Sequence, residues 1–387
     1  KFAGIKATLT TTQPLLAPLT AGQKAGVMKL TQNDKLIAEI PVVALDIGYF
    51  SVKGASRREK NDTIKAFQFP SQCSHVSSMH KTSMGMAALS GANVTVNGSE
   101  YFVGQDVVLQ TSARQTRAIT ENYADSPEYK ALFLGGLYYI LRDYAGELRG
   151  KDEVEIRRMV AGLPMNTLGT HEAKVRELFE GTHVVPSPFG DGTFKVHIKS
   201  VNVIPQPQGA MVSTGARQKT MNLDRFFDQN MLVLDMGGGT FDWFLVNKRK
   251  ILHNRSGAYQ KGVLTCVNMV CDRIKPGIKD DPLVVERVDE AIREGYEEIT
   301  LGGKKYRMDD YLPIADAVLT ECLNSMRNAV LSLESIDLII FTGGGGKRLH
   351  HVAQKLMPDL AGIMALDTDP VFSNVRGFYV LGEASNG

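Results

Sequence analysis

Val42-Val43-Ala44-Leu45-Asp46-Ile47-Gly48-Tyr49-Phe50-Ser51-Val52-Lys53 is the stretch on which the reading of this chain turns. Four apolar residues, short and β-branched enough for a buried strand, run into an acidic residue and then a glycine turn. The same order returns further along. Met231-Leu232-Val233-Leu234 leads into Asp235-Met236-Gly237-Gly238-Gly239-Thr240, and Ile336-Asp337-Leu338-Ile339-Ile340-Phe341 leads into Thr342-Gly343-Gly344-Gly345-Gly346. Glycine at the C-terminal end of a strand lets backbone N–H groups come close to an anion, and consecutive N–H groups form an anion-binding nest. One such turn says little, because glycine-rich strand ends are common and mostly structural. Two acid-led turns about 190 residues apart, with a third glycine run behind them, read together as a clamp for the phosphates of a nucleotide. In that clamp Asp46 and Asp235 offer oxygen to Mg²⁺ through the waters this ion retains. Lys53 reaches back toward the phosphates as a point charge.

The three segments resemble the phosphate-1, phosphate-2 and adenosine motifs of the actin, Hsp70 and sugar-kinase ATPase superfamily, in that family's order and spacing. Further pieces narrow the resemblance to bacterial ParM-like plasmid-segregation actins, and within them to protein D of PRTRC plasmid cassettes. They are Tyr101-Phe102-Val103-Gly104, Ser126-Pro127-Glu128-Tyr129, Val160-Ala161-Gly162-Leu163-Pro164 and Asn374-Val375-Arg376-Gly377-Phe378. The resemblance spans residues 42 to 385 and implies an α/β fold of two actin-like (ribonuclease H-like) domains around a nucleotide cleft.

It also implies ATP and Mg²⁺ as ligands, with Asp46 and Asp235 as catalytic and metal-holding residues. The nucleotide contacts it implies are Gly48, Tyr49, Ser51, Lys53, Gly237, Gly238, Gly239, Thr240, Gly343, Gly344, Gly345 and Lys347. Lys347 and Arg348 read equally well as a charged helix start on the surface. The family places ribose contacts near Gly262 and the helix that starts at about Val263. Between its phosphate turns the family positions the attacking water with a Glu or Gln, and Gln206 in Pro205-Gln206-Pro207-Gln208-Gly209 matches that position. ParM-like proteins carry Glu there.

Composition agrees with two domains, since 387 residues exceed what one core organises. A formal charge of +2 argues against nucleic-acid binding driven by the charge of the whole surface. The expected partners are therefore further copies of the chain, assembled as a homo-oligomer or filament, and a DNA-binding adaptor, with no direct contact to nucleic acid. Cys73, Cys266, Cys271 and Cys322 show no CxxC pair or ligand ladder and read as reduced, buried thiols of a cytoplasmic protein. No apolar stretch reaches the ~20 residues that span a bilayer. The longest, 131–141, contains two glycines and reads as a core helix. Its apolar positions are Tyr129, Leu132, Phe133, Gly136, Leu137, Ile140 and Leu141, behind Ser126 as N-cap and Pro127 in the first turn. A second amphipathic helix is expected over 315–331, on Ala315, Val318, Leu319, Cys322, Leu323, Met326 and Val330.

Residues 1–41 stand outside this pattern as a β-rich appendage, ahead of domains at 42–215 and 216–387. Lys1 to Leu45 resembles the end of the C-terminal β domain of D-alanyl-D-alanine carboxypeptidases, the penicillin-binding proteins. The start at Lys1 rather than Met is what a fragment, a fusion or a recombined reading frame would give. Ser78-Met79-His80-Lys81 fits the Ser-x-x-Lys of those hydrolases, and Lys81-Thr82-Ser83 echoes their Lys-Thr-Gly. One lysine cannot serve both motifs, which argues against a hydrolase. His75 and His80 near Cys73 lack convincing metal spacing. Three readings of function stay open: an ATP-hydrolysing filament protein of plasmid maintenance, a nucleotide-dependent scaffold with little turnover, and, remotely, an envelope protein related to the carboxypeptidases. Sugar or acetate kinase chemistry would need an acceptor pocket that the sequence does not display.

Overall fold

The computed structural model describes residues 5–10, 27–32, 35–36, 38–76, 87–110, 123–218 and 222–384. Ser78, His80, Lys81 and Ser83 lie outside them, and with them the Ser-x-x-Lys reading. Near the N-terminus, strands Ile5–Thr10, Val27–Gln32 and Lys35–Leu36 pair antiparallel in that order.

The first large sheet is seven-stranded. Its strands are β1 (Ala38–Ile47), β2 (Ser51–Arg58), β3 (Ile64–Pro70), β4 (Glu153–Leu163), β5 (Gly181–Pro186), β6 (Thr193–Ile198) and β7 (Val201–Pro205). They run in the order β5-β6-β4-β1-β2-β3, with β7 also on β4. β1 is central and parallel to β4, and it takes in residues 38–41, which the sequence had grouped with the appendage. Its apolar run alternates between two cores: Val43 and Leu45 face one, Val42 and Ala44 the other. A strand buried on both faces needs such an unbroken run, which is why its period-2 pattern is invisible in hydropathy.

The second sheet repeats the plan with β8 (Asn230–Met236), β9 (Phe241–Asn247), β10 (Lys250–Ile251), β11 (Gly257–Tyr259), β12 (Leu338–Thr342) and β13 (Met364–Leu366). The order is β10-β9-β8-β12-β13, with β11 on β9. Again the central strand serves two cores, Leu232 and Leu234 on one side, Met231 and Val233 on the other. Each sheet thus opens with an antiparallel hairpin, β1-β2 or β8-β9, whose first strand is also paired in parallel to a strand from later in its half.

Helices cover the outer faces. α1 (Pro127–Asp143) covers the first sheet, capped by Ser126 Oγ, which accepts from Tyr129 N at 3.1 Å. α3 (Val263–Ile274), α4 (Pro282–Glu294), α5 (Leu312–Val330) and α6 (Gly346–Leu356) cover the second. Both expected helices are present, and all the expected apolar positions of the second lie buried on α5. The four cysteines are free thiols; three are buried, whereas Cys73 is only half-buried because it stands in a cavity wall. No helix among the described residues is long and apolar enough to cross a membrane.

Two helices lie between the sheets and decide the site's geometry. α2 (Gln206–Ala216) leaves the first sheet but packs Ala210, Met211 and Val212 on the second. α7 (Ser373–Ala384) follows the second sheet but packs Val375, Phe378 and Tyr379 on the first. They touch at glycines: a Cβ on Gly377 would stand 1.8 Å from the Gly209 carbonyl oxygen. Buried Asp367 ties the two helices together, accepting from Ser373 Oγ at 2.6 Å, from Thr214 Oγ1 at 3.2 Å and from the Arg217 guanidinium.

Candidate functional site

The two hairpin tips are built alike. Asp46 pairs across its hairpin with Lys53, and Asp235 with Asp242. Gly48 N–H donates to Ser51 O at 3.2 Å, and Gly237 N–H to Thr240 O at 3.0 Å. The tips face each other across the cleft at glycines: a Cβ on Gly238 would lie 2.3 Å from Phe50 Cβ, and one on Gly239 2.5 Å from the Tyr49 ring. Any larger residue there would wedge the two turns apart. The third glycine turn braces the second. Gly345 N–H donates to Met236 O at 3.0 Å, and a Cβ on Gly343, at φ +83°, would strike Asp235 Oδ1 at 2.3 Å. Gly262 meets the second tip just as closely, and the N–H groups of Val263 and Leu264 donate to the Gly237 and Gly238 carbonyls.

Where the tips meet, the cleft divides into two cavities. One, of about 510 Å³, is lined by Asp46, Gly48, Tyr49, Ser51, Lys53, Gln206, Asp235, Gly237 to Thr240 and Asn374, and continues between Tyr123, Tyr129 and Cys73. The other, of about 310 Å³, shares Ser51, Lys53 and Gly238 and is closed by Gly344 and the α4 side chains Glu286, Asp289, Glu290 and Arg293. Most of the expected residues therefore converge. Gly343 and Gly345 line neither of these two cavities and brace Asp235 and Met236 from behind. Lys347 is exposed and lines neither cavity; its ammonium lies 3.4 Å from the Glu294 carbonyl. Arg348 is bound to Asp316 at 2.7 Å.

Each leading carboxylate is held by an amide. Gln206 Nε2 donates to Asp46 Oδ1 at 2.5 Å, and Asn374 Nδ2 donates to Asp235 Oδ2 at 2.7 Å. All four side chains are buried. Burial, only partly offset by Lys53 and the Gln206 bond, pushes the Asp46 carboxyl up to about 6. Burial likewise raises Asp235, against the opposing pull of Asn374 and Lys53. Asp242, opposite Asp235, is pushed up to about 7 by burial in spite of its Thr240 bond, with Asp235 adding repulsion. It accepts from Thr240 Oγ1 at 2.6 Å and from the Met165 N–H of the other half at 3.0 Å.

Two buried carboxylates, Asp46 and Asp235, share one lysine, and Asp242 adds a third buried acid beside them; a bound cation would relieve their mutual repulsion. Among the described residues no group of three or more His, Cys, Asp or Glu is arranged to cage an ion. Two carboxylates that leave room for water suit Mg²⁺, which holds most of its hydration shell. Asn374 Oδ1, buried in the cavity wall with no partner among the described residues, is an acceptor such water would satisfy. The donor set fits Mg²⁺.

The raised Asp242 makes a stability prediction for the ligand-free protein. Its native form holds a proton more tightly than the unfolded chain does. The associated stabilisation is complete below about pH 4 and is lost as pH rises through 7. Asp242→Asn removes that loss while keeping an acceptor for the Met165 N–H. Between pH 5 and 8, in EDTA, wild type should lose about 1–3 kcal/mol more stability than the variant. Parallel melting curves for the two proteins would show that Asp242 is ionised throughout.

Sequence reasoning gave Asn374 no role in the site, and it passed over Asp242 and the acidic face of α4. One signal was available for Asn374. Gln206-Pro207-Gln208-Gly209 and Asn374-Val375-Arg376-Gly377 both read amide, two residues, glycine, and the two glycines are the helix crossing.

Comparison with known proteins agrees with this architecture. Residues 44–209 match the family model of the actin-like proteins' N-terminal domain, and residues 233–354 that of the C-terminal domain of the MreB-like archaeal actin homologue. Residues 1–46 match the C-terminal domain of penicillin-binding protein 5. Both expected resemblances are thus borne out. Solved structures similar to this chain include the apo pSK41 ParM protein, at 21% identity and TM-score 0.61, covering 89% of this chain and 97% of that one. Another is Ta0583, an archaeal actin homolog in complex with ADP, at 18% identity and TM-score 0.62, covering 89% and 99%. A third is a 15-stranded ParM filament from Clostridium botulinum, at 20% identity and TM-score 0.66, with the same coverage. At these identities the likeness speaks for the fold. No curated protein matches the chain.

Proposed function

We propose that this chain, which matches actin-like family models in both of its halves, binds ATP between its two domains with Mg²⁺ and hydrolyses it to control its own assembly. One observation carries this reading: two glycine turns face each other with a buried, amide-held carboxylate behind each. The phosphates lie along Gly48 to Ser51 and Gly237 to Thr240, where backbone N–H groups and Lys53 offset their charge. The nucleoside takes the smaller cavity, with Gly344 beneath it and the Glu286 and Glu290 carboxylates suited to accept from ribose hydroxyls. Mg²⁺, when bound, neutralises charge on the phosphate oxygens, with Asp46 and Asp235 holding its waters. Gln206 is anchored through Nε2 on Asp46, which leaves Oε1 to accept from a water and aim it in line with the terminal phosphate. An amide orients water but cannot take its proton, so turnover should be slow; this favours keeping the scaffold with little turnover as a second reading.

Losing the terminal phosphate removes contacts shared by both halves and shifts the domain angle. Heads and tails of successive subunits would then meet differently, as in a heterologous, non-closing assembly. A similar structure is itself a ParM filament, which supports assembly here. Plasmid segregation or maintenance in the cytoplasm, through a DNA-binding adaptor and in the manner of PRTRC protein D, is the role we infer. The working division is 1–41, 42–215 and 216–387, with residues 38–41 moved to the first domain because β1 begins at Ala38.

Phosphate release and right-angle scattering on the same Mg²⁺-ATP samples test this. Wild type should show both, and Gln206→Ala should release phosphate about a hundredfold more slowly while still binding nucleotide. Nucleotide binding with no turnover in wild type would select the scaffold, and no response to nucleotide would remove the clamp reading.

A further inference from the structure

The site is nearly symmetric, and the symmetry assigns work to a residue on the C-terminal helix. Gln206 is the first residue of α2, and Asn374 the second of α7. Each donates its amide N–H to the carboxylate one residue from the end of the leading strand in its own half: Gln206 to Asp46 of β1, Asn374 to Asp235 of β8. Three residues after each amide comes the glycine at which the helices cross, Gly209 and Gly377. The two amides are thus fixed relative to each other by one backbone contact, and both line the same cavity.

Their remaining polar atoms are not equivalent to a structural tie. Asp235 can only accept, so the Asn374 NH₂ must face it and the carbonyl must face away. That Oδ1 is buried, stands in the wall of the cavity and meets no donor among the described residues. A side chain kept only to hold Asp235 would leave an acceptor desolvated without compensation.

We propose that Asn374 is a positioning residue for the bound cation, its Oδ1 accepting from a water of the Mg²⁺ shell held at Asp46 and Asp235. The assignment rests on the Mg²⁺-ATP reading above and extends it: Gln206 orients the attacking water, and Asn374 orients a metal water. Because α7 packs on the first sheet while Asn374 binds the second, cation occupancy is reported directly to the helix crossing between the halves.

The test is a titration of Mg²⁺ against a fluorescent ADP analogue bound to the full chain, with wild type, Asn374→Ala and Asn374→Asp, and an EDTA arm for each. In Asn374→Ala, affinity in EDTA should equal that of wild type, and the Mg²⁺ midpoint should rise about tenfold. Asn374→Asp loses the donor but keeps an oxygen toward the cation. Its midpoint should stay at or below the wild-type value, whereas a purely structural tie would be damaged more by Asp, which repels Asp235, than by Ala.

An unchanged midpoint in a normally melting Asn374→Ala overturns the proposal, as does an equal loss of affinity with and without Mg²⁺. If Asn374→Ala does not fold, the Asp variant decides alone, and a midpoint raised there is the overturning result. Wild-type binding that ignores Mg²⁺ defeats the cation reading itself, and is told apart because it needs no variant.

Discussion

Replacing Asp235 with Ala is expected to cut Mg²⁺-dependent phosphate release from ATP by at least about a hundredfold and to abolish the nucleotide-dependent scattering. The carboxylate has three connections. It stands one residue before the end of β8, accepts from Asn374 at 2.7 Å, and is braced from behind by Gly343. Its loss removes one of two groups placed to hold cation waters and leaves the Asn374 amide without its acceptor. Stability need not fall in step, because the deletion also relieves Asp242 and Asp46 of a buried like charge. The ligand-free variant should melt within a few degrees of wild type. Phosphate release within threefold of wild type would mean that this site is not where ATP is hydrolysed.

Gly377→Ala should produce the largest loss of stability. The added Cβ would lie 1.8 Å from the Gly209 carbonyl oxygen and 2.5 Å from its carbon, both backbone atoms. No rotamer change relieves a backbone clash, so α2 and α7 must separate, taking with them Phe378, which packs on Gly162 and Gly209, and the Asp367 network. A cost of about 3 kcal/mol or more follows from overpacking of this kind. The melting temperature should fall by roughly 4 °C or more. A shift under two degrees, measured by calorimetry without nucleotide, would show that the crossing can slide apart freely. Nucleotide affinity should also fall, since the crossing fixes Gln206 and Asn374 relative to each other.

Much of the clamp was legible because it is local. A strand, an acid and a glycine turn are contiguous, and β1-β2 pairing brings Lys53 opposite Asp46 by register alone. The third glycine run was legible as a turn but not in its role. Gly343 and Gly345 serve as backing for Asp235 and Met236, and of the three only Gly344 lines the larger of the two cavities beside α4. Lys347 followed the turn closely enough to suggest ligand contact, yet the first turn of α6 carries it outward to Glu294.

By itself the sequence determined the elements whose cause is short-range. The doubly buried strands follow from unbroken apolar runs, the Gly343 turn from a φ of +83° that other residues rarely adopt, and the capped helix α1 from Ser126 and Pro127. Tertiary structure alone decided what those elements enclose. Asp46 and Gln206, Asp235 and Asn374, and Met165 and Asp242 are bonded pairs far apart in the chain, and no propensity or spacing relates their members. Their meeting depends on α2 and α7 exchanging sheets and crossing at two glycines, a long-range packing event whose energy is spread over two cores.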